Sequence, residues 1–276
     1  MSRSVWIIVP CFNEARRLDR SAFLEAAASA SDTHYLFVDD GSTDETGAVI
    51  REMASEAAQS IGTLALPSNS GKAEAVRQGM LRAIEADAHC VGYWDADLAT
   101  PLDVIPDFAS ILAEDDEVDV VMGARARMLG RQIQRSGLRH LAGRAYATAA
   151  AVALRLPVYD TQCGAKLFRN GPALKESLKS PFSSRWAFDV ELLRRLQIQW
   201  GDSGIGRIVE VPLLRWRDVG ESKVSLLSGG LAFGYVLRLM LLSRLSSASR
   251  VRRLRPEEPR SDQELLLEVT KSDSEL

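Results

Sequence analysis

The chain has 276 residues, 46% hydrophobic and 26% charged, enough to bury the core of one large α/β domain with a tail. Its formal net charge of -3 and pI near 5.8 exclude the overall basic excess of a nucleic-acid-binding protein, so any cationic site must be local. Cys11, Cys90 and Cys163 are far apart and lack metal-ligand spacing, which argues against a disulfide framework or a zinc site and for reduced thiols.

The N-terminus moves straight into a strand-like run, without a charged n-region, a long apolar h-region or a cleavage site. No signal peptide is expected, and a cytoplasmic setting is. The runs "VWIIVP" (5–10), "YLFVDD" (35–40), "IGTLAL" (61–66), "CVGYWDAD" (90–97) and "VDVVMGAR" (118–125) read as strands. Between them lie helices such as 73–86, where Val76, Met80, Ala83 and Ile84 recur at helical spacing. The alternation predicts an α/β fold, a mostly parallel twisted sheet flanked by helices. Polar residues gather where the strands end: Asn13 and Glu14, Asp39 and Asp40, Asn69 and Lys72, Asp95 and Asp97, and Arg125. Ligands of open α/β sheets bind outside the carboxyl ends of the strands, so these groups should converge on one crevice.

Three stretches carry chemistry. "VDDGSTDET" (38–46) suits a strand-turn-helix junction capped by Ser42 or Thr43, and equally a nucleoside site where a carboxylate accepts from a base or ribose. "PSNSGKAEA" (67–75) is not a phosphate-binding P-loop, because Leu66 and Ala73 replace the required glycine and Ser/Thr. Lys72, at a helix start, can still meet a nucleotide or simply be solvated. In "YWDADLAT" (93–100), Asp95 and Asp97 would face one side of an extended chain while Ala96 faces the sheet. Two carboxylates so close disfavour joint ionisation unless a cation compensates them, and oxygen ligands select Mg²⁺ or Mn²⁺; a solvated acidic loop is the other reading. Such an ion would bridge a nucleotide diphosphate and stabilise the charge on it as a leaving group.

"VPCFNEARRL", "VDDGSTDET", "NSGKAEAV" and "DADLATP", in this order, resemble the family 2 glycosyltransferases of the GT-A fold. "DTQCGAKLF" (160–168), "RWAFDVELL" (185–193) and "RDVGESKV" (217–224) are similar to the polyprenyl-phosphate (dolichyl-phosphate) β-glucosyltransferases. The resemblance implies a nucleotide-sugar donor, UDP-glucose above all, a polyprenyl-phosphate acceptor and an inverted, β-linked product. It assigns Pro10, Asn13 and Glu14 to a first nucleotide-binding loop, and Asp40, beside Asp39, to reading the base. Asp95 and Asp97, flanking Ala96, match the metal-binding pair, with Asp97 the stronger ligand. Ala99 stands where mannose-transferring relatives often carry glutamine, which favours water or Thr100 as a replacement ligand. Ala73 replaces a family glycine beside Lys72. Arg217, Ser222 and Lys223 resemble a loop that closes over the donor diphosphate.

An anionic lipid phosphate needs orientation and charge compensation more than a strong base. Arg125, Arg135 and Arg139 are the acceptor candidates, by resemblance and because a guanidinium bonds phosphate oxygens in pairs. Arg127, Arg131, Arg135, Arg139 and Arg144 suit a solvated helix face equally well. Asp189 falls near the position of the base in inverting relatives and is nominated as base or acceptor-orienting group; the other reading is an aspartate at a helix N-terminus. If that segment is helical, Phe188, Leu192 and Arg195 share a stripe and Glu191 points elsewhere.

"VSLLSGGLAFGYVL" (224–237) is uncharged for 14 residues, too short for the roughly 20 residues of a membrane span. Followed by Arg238, Arg244, Arg250, Arg252, Arg253 and Arg255, it reads as a foot on an anionic membrane surface; a core helix with a basic turn is the other reading. The expected organisation is a catalytic domain over 1–223, an interfacial helical region over 224–255 and a mobile acidic tail over 256–276. The expected setting is the cytoplasmic face of a membrane, without a transmembrane span or nucleic-acid partner, and with a homodimer as a candidate assembly. Other donors (GDP-mannose, UDP-GlcNAc, UDP-glucuronate) or a weakened nucleotide-sugar-binding scaffold are the alternatives.

Overall fold

The computed structural model describes residues 4–134, 137–201, 204–219 and 230–241, and gives the backbone alone at 134, 137–142 and 205. Residues through Met240 make one compact unit.

Its centre is a seven-stranded sheet. The strands are β1 (Val5–Cys11), β2 (Thr33–Asp39), β3 (Ile61–Ala65), β4 (Cys90–Trp94), β5 (Val120–Ala124), β7 (Ala165–Arg169) and β8 (Ile208–Pro212), in the order β3-β2-β1-β4-β7-β5-β8. β7 runs antiparallel to β4 and β5; every other neighbour pair is parallel. β6 (Gln132–Gln134) and β9 (Arg215–Arg217) form a separate parallel pair. The expected strands are therefore all present, and β6, β7, β8 and β9 are additions that the sequence reading did not contain.

Both faces of the sheet are covered, which is why its strands read as near-continuous apolar runs. Side chains alternate between two cores. Ile8, Leu36, Val38, Val91, Tyr93 and Phe168 pack with α3 (Lys72–Glu85), α5 (Gly137–Leu154), α6 (Pro172–Leu178) and α7 (Phe188–Trp200). Ile7, Val9, Phe37, Trp94, Val121 and Leu167 pack with α1 (Arg20–Ser29), α2 (Thr46–Glu56) and α4 (Ile105–Glu114). β1, β2 and β3 end in register, with Cys11 opposite Asp39 and Asp39 opposite Ala65. Their following loops thus open at one edge, and antiparallel β7 brings its preceding loop, 160–164, to that same edge.

A last helix, α8 (230–241), sets Ala232 and Val236 into the first core and leaves Leu231 and Phe233 exposed. The part of the expected interfacial segment that is described therefore has one stripe buried in the domain, with exposed apolar side chains on either side of it. No helix among the described residues is long and apolar enough to cross a membrane.

Candidate active site

The crevice begins with Asp40, a buried carboxylate just past β2. Its oxygens accept the backbone N–H groups of Ser70 at 2.7 Å and Gly71 at 2.8 Å. Gly71 adopts φ +94°, where an L side chain is strained, and α3 starts at the next residue. Asp40 thus caps a helix whose N-cap residue, Gly71, has no side chain to do so, and adds negative charge to that of Glu74 in the first turn. Burial pushes its carboxyl up, while the two N–H groups and Arg185 pull it back. Asp39 serves the same turn, accepting from the Ser42 N–H at 2.9 Å.

Asn13, at φ +51°, links this turn to the loop after β1: its N–H donates to Ser42 Oγ at 3.0 Å and its Oδ1 accepts from the Thr43 N–H at 2.8 Å. Ser42 and Thr43 therefore bind the first loop rather than cap α2, and Asp44 Oδ1 accepts the Thr46 N–H at 3.0 Å at that helix start. Glu14 is buried, holds Arg17 through two bonds of 2.8 Å, and donates its N–H to Thr46 Oγ1 at 2.7 Å. Half-buried Pro10 lies in β1 just below.

Lys72, Asp95 and Asp97 meet at the centre. β4 ends at Trp94, so the carboxylates stand in a turn and not on an extended strand, a correction to the expected alternation. Asp95 is held by its N–H on the Gly164 carbonyl at 3.2 Å, and Ala96 is buried. Asp97 Oδ1 accepts the Ala99 N–H at 3.1 Å. Burial pushes the Asp97 carboxyl up and Asp95 pushes it further, against the pull of Ala99 N–H, Arg17 and Lys72. Lys72 forms an ion pair with Asp95. Burial draws the Lys72 ammonium down, but Asp95, Asp189 and Asp97 together hold it above the ordinary lysine value. Thr100 turns away, buried with its hydroxyl 3.9 Å from Cys163 Sγ, so it does not replace the missing glutamine.

Behind this cluster, at the start of α7, Asp189 accepts from the Tyr93 hydroxyl and from Lys166 Nζ at 3.3 Å. Lys166, fully buried in β7, also donates to the Cys163 carbonyl at 2.6 Å. The segment is helical, and Phe188 and Leu192 are core as the stripe predicts. Glu191 accepts from the Ser183 N–H at 2.9 Å and from Arg195 at 2.7 Å, away from Asp189.

The arginines divide. Arg125 is locked on Asp160 through Nε at 2.6 Å and Nη2 at 2.7 Å, and lies over the Trp216 ring, so its fork is already filled. Arg144 donates to the Tyr159 carbonyl at 2.9 Å and covers that ring, which removes it from the solvated face. Arg217 is exposed, and its N–H donates to the Ala99 carbonyl at 3.2 Å, beside the carboxylate turn. The Arg139 side chain, and Arg135, Ser222 and Lys223, lie outside the described residues.

Sequence reasoning passed over Tyr93, Gly164 and Lys166. Lys166 carried a signal, a lone cation inside the apolar run "AKLF". Gly164 carried none. A Cβ there would lie 1.8 Å from Asp95 Oδ2, so the carboxylate rests directly on the glycine backbone. The donor set was tested against a divalent cation. Among the described residues no three His, Cys, Asp or Glu gather to hold a metal, yet Asp95 and Asp97 form a partly buried carboxylate pair beside the ammonium of Lys72. That suits a hard ion that takes one or two protein oxygens and fills its shell with water and phosphate.

A mostly parallel sheet with an inserted antiparallel strand, carrying a carboxylate pair and a lysine at its strand mouths, is the GT-A fold. The glucosyl-3-phosphoglycerate synthase of Mycobacterium tuberculosis, solved with Mn²⁺, UDP and glucosyl-3-phosphoglycerate, superposes with a TM-score of 0.62. It is 20% identical, over 88% of this chain and 80% of that one. The chain belongs to glycosyl transferase family 2, whose model matches residues 6–175. A dolichyl-phosphate beta-glucosyltransferase of Trichomonas vaginalis is 29% identical over 231 residues, covering 79% of this chain and 65% of that protein. The dolichyl-phosphate beta-glucosyltransferase of Drosophila melanogaster is 29% identical over 272 residues, covering 91% and 78%.

Proposed function

We propose that the chain transfers glucose from UDP-glucose to a polyprenyl phosphate of the dolichyl type, with inversion, giving a β-linked lipid-phosphate sugar. The observation that carries the reading is the meeting of Lys72, Asp95 and Asp97 at the strand mouths of a family 2 chain whose relatives bear that activity's name. Asp95 and Asp97 would hold Mg²⁺ or Mn²⁺, which when bound supplies positive charge to the diphosphate leaving group. Lys72 and Arg217 add fixed positive charge on the same side.

In the transfer, an acceptor phosphate oxygen forms a bond to the anomeric carbon as the bond from that carbon to the diphosphate breaks, and UDP leaves with the electron pair. The acceptor oxygen is already anionic, so no proton has to be removed. Asp189, held between the Tyr93 hydroxyl and the Lys166 ammonium, is placed to orient charge rather than to take up a proton. With Arg125 committed to Asp160, charge compensation of the acceptor falls to Arg135 and Arg139. A lipid acceptor would bring the protein to a membrane surface, for which we propose the cytoplasmic face, and exposed Leu231 and Phe233 would contact the interface there.

The test is transfer from radiolabelled UDP-glucose, GDP-mannose, UDP-GlcNAc and UDP-glucuronate to short polyprenyl phosphates, with Mg²⁺, Mn²⁺ or chelator, scored as lipid-extractable label. Product from UDP-glucose alone, lost in chelator and in Asp97→Ala, is expected. Label passing only to added 3-phosphoglycerate would overturn the lipid acceptor, and UDP-sugar binding with no product from any donor would move the reading to a scaffold.

A further inference from the structure

One of the two carboxylates suited to the cation is already taken. Lys72 Nζ donates to Asp95 Oδ1, with the two side chains 27% and 34% exposed. Both partners are held from behind. Lys72 opens α3, and Asp40 fixes that opening through the Ser70 and Gly71 N–H groups. Asp95 is anchored by the Gly164 carbonyl and packed on the Gly164 backbone. A further anion that acts on Lys72, Asp189, is engaged by Lys166 and Tyr93. Asp95 is thus the partner that Lys72 keeps until another anion arrives.

We infer that Lys72 is a tethered counter-ion: in the empty protein its ammonium holds Asp95 in place of the divalent cation, and it passes to the diphosphate only when cation and nucleotide arrive together. The inference rests on the proposed function solely for the nature of the diphosphate ligand. A divalent ion entering alone must leave the ammonium beside it with no anion to receive it, and like charges a few ångströms apart in a half-buried site repel strongly. When a diphosphate is present, Lys72 exchanges one oxyanion for another and Asp95 is released at little cost. Linkage then requires nucleotide to raise cation affinity and cation to raise nucleotide affinity by the same factor.

The experiment follows Mn²⁺ binding by the full chain through the loss of the free-ion paramagnetic resonance signal, with Mn²⁺ alone and with UDP. In the wild type, UDP should tighten Mn²⁺ binding about tenfold or more. Lys72→Met should bind Mn²⁺ alone about tenfold tighter than wild type, and the tightening by UDP should shrink to what direct coordination of the ion by the diphosphate supplies. In an Asp95→Asn background, Lys72→Met should raise Mn²⁺ affinity by clearly less than it does beside Asp95, because the part of the effect due to occupancy of Asp95 is gone and only ammonium–cation repulsion remains. Lys72→Gln carries the same expectations should the methionine variant fold poorly. No gain on removing Lys72, or the same gain in the Asp95→Asn background, would overturn occupancy of Asp95 by the lysine. A UDP effect untouched by Lys72→Met would overturn its passage to the diphosphate. Failure to make any lipid-linked sugar, with this Mn²⁺ pattern intact, removes the proposed function and leaves the inference standing.

Discussion

Replacing Gly164 by alanine tests the placement of the carboxylates from the far side. The added Cβ would stand 1.8 Å from Asp95 Oδ2, 2.3 Å from Cγ and 2.7 Å from Oδ1. Non-bonded carbon and oxygen need roughly 3 Å or more, so the whole carboxylate must retreat by about 1 Å or more. Asp95 cannot simply turn aside, because its N–H is tied to the Gly164 carbonyl at 3.2 Å and Ala96 behind it is buried. Overpacking of this kind costs about 1–3 kcal/mol, a fall in Tm of ~2–12 °C for a domain of this size. A misplacement of about 1 Å at a charge-stabilising group costs on the order of 100-fold in rate. We expect Gly164→Ala to melt cooperatively, somewhat below wild type, and to lose about two orders of magnitude in kcat/KM when assayed well under its Tm. Gly62→Ala is the control, since its Cβ would meet only Leu36 Cδ1 at 3.4 Å. Wild-type kinetics in Gly164→Ala would refute the argument that Asp95 is positioned by that glycine.

Lys166→Met removes a fully buried cation and leaves Asp189 short of charge, so urea unfolding should show a loss of about 3–5 kcal/mol, partly recovered in Lys166→Met/Asp189→Leu. The Glu74 carboxyl is held below its ordinary value of 4.5 by its bonds to Arg77, with Gln78 adding to the effect against burial. The unfolded chain therefore binds this proton more readily, and the stability Glu74 contributes is present above 4.5 and lost as the pH falls through the folded value. Denaturation midpoints measured from neutrality to pH 3 should fall less steeply in acid for Glu74→Gln. Leu231→Asp and Phe233→Asp change exposed side chains of α8, Phe233 losing its ring contact with Tyr146 as well, whereas deleting the segment would strip Ala232 and Val236 from the core. Both substitutions should weaken sedimentation with anionic liposomes while transfer to a water-dispersed short-chain acceptor is unchanged; undiminished sedimentation would remove α8 from the membrane reading.

The strands and their polar ends were legible because they are local features. "VWIIVP" and "YLFVDD" needed only an apolar run and its last residue, and the strands Val5–Cys11 and Thr33–Asp39 fall within two residues of that reading. Asp95 and Asp97 were legible as a pair for the same reason, although β4 stops at Trp94 and the turn, not strand alternation, presents them. The sequence by itself thus determined the fold class and the family, and it marked the strand ends where polar residues gather. The tertiary structure decided what each charged group is paired with. Insertion of antiparallel β7 between β4 and β5 sets Gly164 beneath Asp95 and Lys166 against Asp189. The same loop turns Arg125, an acceptor candidate on sequence, into the partner of Asp160. These partners lie tens of residues apart, as Lys72 does from Asp95. No local period or turn propensity records such pairings, since they arise only when separate crossovers bring their charges into one poorly solvated crevice where each must find an opposite charge.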